Sequence, residues 1–305
     1  MLVANVMTGS DLSLVIDPFT ELNDLKRITS AGRAGSVATR LFRESWSALV
    51  GGTPADQVAG WIAGRAIAAA RLGDLDRTML ADAGLSGTEI DVVLLDAIEA
   101  VAGPHLAPIR GLIEANLARE PVRQGPCPAF VDALSQQPRA GITCPGKPRI
   151  LLEPPENHAE HCLMVAVYGV ILAPGYDADP ARIFLAALAH HFHNAGMPDS
   201  GFTGEVLLGP HLGTVMAHHT SLCLNQLPPT LRDEVEQARA ILPDADTADG
   251  RAFHAADVLD RVLQLNQYMR ASALSPERML GEMELVHAGP VKTFQDDVLR
   301  QARLL

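Results

Sequence analysis

The chain has 305 residues, enough for about two domains of ~150 residues each. Hydrophobic residues make up 48% and charged residues 20%, the balance of a globular chain with a sizeable core, which excludes a disordered one. The net charge of −12 does not neutralise a phosphate backbone, so no nucleic-acid polymer is expected as a partner.

Aromatic residues are only 4%, so the core must be built from Ala, Leu and Val, a composition that favours helices. Thr53-Pro54-Ala55-Asp56 reads as a helix start, with Thr53 as N-cap and Pro at the first helical position. The helix runs on through Leu72 and stops at Gly73. Further helices are expected over 74–83, 86–101 and 108–118, each with apolar residues at helical spacing. Residues 120–155 hold eight prolines in 36 positions, which reads as an extended connector.

From Glu156 the helical period returns. Helices are expected over 157–173, 180–189, 205–224, 230–242, 251–273 and 290–305. Asp179 and Pro180 form a good N-terminus for the second. No β alternation and no internal repeat stand out. The expected fold class is all-α: a separate N-terminal helical domain over 1–120, a Pro-rich connector over 121–155 and a second helical domain over 156–305. Ala-rich helical surfaces of this kind pack well across a homo-oligomer.

No run of 18 apolar residues occurs, so no membrane partner is expected. Met1–Asp11 lacks the basic and apolar regions of a signal peptide. Cys127, Cys144, Cys162 and Cys223 form no C-x-x-C pair and read as reduced thiols, so the expected localisation is cytoplasmic.

Histidine is the anomaly. Nine of the 11 fall within the 97 residues from His158 to His254. Clusters of this kind point to a metal site or a pH switch. His158 and His161 are three apart on one expected helix. His190 and His191 end a strongly apolar one, with His193 close by. His254 and Asp257 are three apart on a later helix. Helical bundles build metal sites from inward-pointing ligands on several helices, as these could.

Three of these segments resemble the HD-domain phosphohydrolases, in order. Glu160-His161-Cys162-Leu163-Met164-Val165-Ala166 is similar to that family's first ligand helix. Leu185 to His191 sits where the family has an apolar helix ending in His-Asp. Ala255-Ala256-Asp257-Val258-Leu259-Asp260 is similar to its late helix, whose first Asp is a ligand. Val291-Lys292 to Leu299 also looks like the end of the HD-domain 5′-nucleotidase branch. The resemblance spans 156–300 and implies an HD-like bundle with His161, His190 and Asp257 as ligands of a divalent metal ion.

His191 stands where the family has Asp. A carboxylate bridges two metals, whereas a neutral imidazole offers one lone pair, so a single ion is expected, with His191 as a ligand or its neighbour. Asn194 stands where the nucleotidase branch places the carboxylate beside the attacking water. It cannot act as a base, which leaves Glu205 or Asp199 to substitute. Asp199 also falls where that branch carries an Asp that contacts the sugar. Arg149 and Lys147 lie where it has an Arg for phosphate.

The resemblance implies a hydrolase of a phosphate ester such as a nucleotide, with water on the metal as nucleophile. The alternatives are a degenerate HD-like binding or assembly module and an iron-dependent HD-type oxygenase. His211, His218 and His219 would supply extra ligands to the oxygenase. His158 and His254 read as neighbours of ligands, His193 as a rim residue, and Asp260 and Arg261 as an ion pair.

Overall fold

The computed structural model describes residues 12–102, 107–117, 124–271, 275 and 277–305. Among the described residues there are fourteen α-helices and no strand. The all-α expectation therefore holds.

The first three helices are α1 (Ile16–Asn23), α2 (Val37–Val50) and α3 (Ala55–Leu72). Ser36 caps α2 by accepting from Thr39 N. On α3 the cap is Pro54 rather than Thr53, and it makes no side-chain bond. Gly73 ends α3 with a positive φ of 60°. Outside α3 lie α4 (Arg77–Asp82), α5 (Gly87–Ala102) and α6 (Arg110–Leu117). The close approach of α6 depends on small residues. A Cβ on Gly60 would stand 2.7 Å from Leu112 O, and one on Gly64 would stand 2.9 Å from Ile113.

The Pro-rich segment is not extended throughout. It holds α7 (Ala129–Gln136), which Pro128 starts rather than breaks. Beyond α7, Ile142 and Ile150 exchange backbone hydrogen bonds and turn the chain back on itself.

The centre of the molecule is α8 (His158–Tyr176), antiparallel partner to α9 (Pro180–Ala189). A capping box starts α8: Asn157 accepts from Glu160 N, and Glu160 accepts from Asn157 N. Asp179 caps α9 with Pro180 at its first position, as expected. Gly169 lets the two helices close, since a Cβ there would sit 2.4 Å from Ile183. In length and apolar content α8 could cross a membrane, but 89% of that stretch is buried inside the fold, so it is a core helix.

Around this pair lie α10 (Gly201–Leu208), α11 (Leu212–Leu224), α12 (Pro229–Arg239), α13 (Ala248–Ala271) and α14 (Lys292–Gln301). The single helix expected over 205–224 is two. Gly209, at φ 49°, and Pro210, which has no N–H, break it.

The boundary expected between 120 and 156 does not divide the core. One hydrophobic cluster runs from Leu12 to Ala302. Phe19 of α1 stacks on Tyr168 of α8 at 4.1 Å, and the Tyr168 hydroxyl donates to Phe19 O. Trp46 of α2 packs against Phe130 and Phe192 at 5.0 and 5.4 Å. The cap of α2 is tied to the cap of α8, because Ser36 Oγ donates to Glu160 at 2.6 Å.

Candidate metal centre

His161 projects from the second turn of α8, held there by the capping box and by burial on all sides of the helix. His190 caps the C-terminus of α9, and His191 follows it into a short 3₁₀ turn. Asp257 comes from the middle of α13. These four expected ligands meet at one place. His161 Nε2 lies 3.1 Å from His190 Nε2 and 3.2 Å from Asp257 Oδ1. His161, His190 and His191 each bring a ring nitrogen within 4.8 Å of the others.

The second nitrogen of each ring decides the chemistry. His190 Nδ1 lies 2.6 Å from Ala187 O, which can only accept, so Nδ1 carries the proton and Nε2 offers a lone pair. His161 Nδ1 faces Asp260 Oδ2 at 2.7 Å. His191 Nδ1 faces Asn194 Oδ1 at 2.9 Å, an orientation assigned because Asn194 Nδ2 donates to Met197 O. Three imidazoles thus have Nδ1 anchored to an acceptor, which turns Nε2 of His161 and His190 toward each other and that of His191 toward Arg139. Such anchoring is how metal-ligating histidines are normally oriented.

The donor set fits a divalent ion. Bonds of about 2.1 Å in a tetrahedron space the ligand atoms about 3.4 Å apart, close to the 3.1 and 3.2 Å that separate His161 Nε2 from His190 and Asp257. Two ring nitrogens at 3.1 Å need a proton or a cation between them. A second group, Glu156, His161 and Asp260, also gathers potential ligands. There the cation is already part of the chain. Lys26 Nζ lies 2.6 Å from Glu156 Oε1 and 2.7 Å from Asp260 Oδ1, with its side chain fully buried. Neither Lys26 nor Glu156 was expected in the site. A lone Lys in a segment with no pattern gives no sequence signal.

A cavity of about 530 Å³ opens beside the centre. His190, His191, Asp257, Asn194, Asp199 and Glu205 all line it, as do Arg139 and Arg261. The phosphate-binding expectation for Arg149 and Lys147 is corrected. Arg149 donates to Ala140 O and Ser200 O, Lys147 sits exposed in a turn, and neither lines the cavity. The cations that line the cavity are Arg139, 3.3 Å from His191 Nε2, Arg261, 3.9 Å from Asp257 Oδ2, and Arg239, which donates to Ala189 O. Asp199 reaches the cavity with both oxygens engaged. Oδ1 accepts from Gly201 N, and Oδ2 accepts from Ala140 N with His158 Nε2 at 3.4 Å. His211, His218 and His219 do not line the cavity.

Burial governs the charges. It would raise the Asp257 carboxyl, but His161 at 3.2 Å and the Arg261 charge outweigh it and hold Asp257 well below the usual range. Burial would also raise Glu156, and Lys26 and Arg139 pull it down to about 2. At Glu205 burial and nearby Asp199 outweigh the Arg261 and Arg139 charges and push its carboxyl up. Burial holds His158 and His193 down to about 4 and His190 and His191 well below the ordinary value.

These shifts set an acid limit on stability. The unfolded chain takes protons on these four histidines below about pH 6.5, while the folded chain refuses them. Stability is therefore full above about 6.5 and falls as pH drops toward 4. Below about 4 the depressed Glu156, Asp199 and Asp257 extend the loss, since the unfolded carboxylates then bind protons first. Melting temperatures in a pH series should fall steadily from pH 7 to 4. A flat profile between 7 and 5 would contradict the burial of neutral imidazoles.

No protein-family model, curated protein or solved structure gives a significant match to this chain. The functional reading therefore rests on the site itself.

Proposed function

We propose that the chain is a metal-dependent hydrolase of an anionic ester, with a phosphate ester such as a nucleotide as its substrate class. The observation that supports it is the set of three imidazoles with anchored Nδ1 atoms, converging with Asp257 beside a cavity lined by three arginines. One divalent ion would be held by His161, His190, His191 and Asp257, the arrangement that the HD-like reading implies. Such an ion polarises the ester oxygen and lowers the pKa of water.

The remaining work falls to the chain. Arg139 and Arg261 bind the anionic group and offset its charge, as guanidinium forks do. Arg139 is oriented by Glu156, since His191 Nε2 cannot both accept from it and ligate the ion. Asn194 fixes the His191 ring instead of moving a proton. Asp199 pins the 140 and 200 loops together. Glu205, whose carboxyl is raised, carries the proton to or from the reacting group.

Elemental analysis of the purified protein tests this reading with a panel of phosphate esters. One divalent ion per chain is expected, because Lys26 already fills the second carboxylate group. Two ions per chain would favour the oxygenase alternative. An ion-free protein that hydrolyses no ester would favour the binding or assembly module.

A further inference from the structure

Gln264 lies on α13 in the stripe that begins with the ligand Asp257. Asp257, Arg261, Gln264 and Tyr268 all line the cavity, at the spacing of one helix face. Gln264 is only 3% exposed, yet neither its amide nitrogen nor its amide oxygen has a hydrogen-bond partner. A buried amide left unmade at both ends is costly, and such groups call for an explanation. Tyr268 is close enough to feel the Gln264 amide but forms no full hydrogen bond with it. Its hydroxyl already donates to Pro154 O and accepts from Arg27.

At 1.5 Å per residue, Gln264 stands about 10 Å along the helix from Asp257. The same cavity has a flat wall, where Phe202 and His287 stack at 3.7 Å and 14°. One end of the cavity is thus metal-ligating and cationic. Another point in it offers a neutral donor and acceptor side by side, with a planar aromatic surface elsewhere in the lining.

We propose that Gln264 is the specificity residue of this site. Through a paired N–H and C=O contact it recognises an amide-type edge that the substrate carries about 10 Å from its anionic end. This rests on the hydrolase reading above. Two sources share the chemistry: the hydrogen-bonding edge of a nucleobase and an open-chain amide. A site built to hydrogen-bond such a group discriminates strongly, because its own amide stays unpaired when the group is missing.

The test compares kcat/KM for nucleoside 5′-monophosphates, an N-acyl aminoethyl phosphate and ribose 5-phosphate, in the wild type and in Gln264→Leu. Gln264→Met serves as a second apolar variant should the first fail to fold. The wild type should prefer an amide-bearing ester, and both variants should reduce that preference roughly 10- to 100-fold. Preference for the nucleotides assigns the edge to a base, and preference for the acyl ester assigns it to an open amide. Equal kcat/KM for all three esters in the wild type, or an unchanged preference in the variants, overturns the proposal. If no ester is hydrolysed, the hydrolase reading fails by itself. Equilibrium dialysis of the same esters then decides on Gln264: selective loss of binding in the variants supports it, and equal binding overturns it.

Discussion

Lys26→Met will destabilise the fold by about 3–5 kcal/mol and weaken metal binding at a site the residue never touches. Its ammonium is fully buried between Glu156 and Asp260, whose side chains are 9% and 0% exposed. Breaking a buried ion pair by removing one partner leaves the other charge uncompensated, which is the costly case. Here two carboxylates are left facing the same gap. Arg139, 3.9 Å from Glu156, offsets only one of them. Asp260 also holds His161 Nδ1, so its relaxation frees the ring to turn away from His190 and Asp257. Loss of such an outer contact typically costs 10- to 100-fold in metal affinity. Denaturant unfolding and metal titration measure the two effects separately. In the triple variant Lys26→Met, Glu156→Gln, Asp260→Asn the charges are gone, so stability should largely return while metal affinity should not. A Lys26→Met protein with wild-type stability would show that the buried network is not formed.

The sequence made the helical class legible because composition, caps and breakers all point the same way. Asp179-Pro180 and Gly73 behave as local rules require. The meeting of His161, His190 and Asp257 was legible only through helix order and the HD resemblance, since no local rule brings together residues 96 positions apart. What the sequence hid follows from tertiary packing. Arg139 and Arg149 look equivalent on one Pro-rich loop. The Ile142–Ile150 pairing folds that loop back, aiming Arg139 at the cavity and tying Arg149 to Ala140 and Ser200. The helix α7 was hidden because Pro128 reads as a breaker when counted among eight prolines, yet it stands where proline favours a helix start. Lys26 and Gln264 were hidden for a simpler reason. Long polar side chains are mostly exposed, and burial is a property of the fold rather than of the residue.

The largest effect should come from removing the N-terminal half. A fragment of residues 141–305 retains all four expected ligands. If 1–120 were a body apart, such a fragment would fold and keep its ion. The core argues the opposite. Cutting at 141 strips Phe19 from Tyr168, removes Trp46 and Phe130 from Phe192, and uncovers α8, which is buried nearly all round. Each large aromatic lost from a core is worth about 3–5 kcal/mol, and stabilities of whole domains run to only 5–15 kcal/mol. The cut also deletes Lys26 and Arg139, leaving Glu156 and Asp260 without cations, and removes the Ser36 bond to Glu160 at the start of the His161 helix. The fragment should therefore show no cooperative melting transition and bind no divalent ion at stoichiometric concentration, by calorimetry and equilibrium dialysis. A fragment that melts cooperatively and holds one ion would restore the two-domain reading. It would also reduce Lys26 to a structural contact.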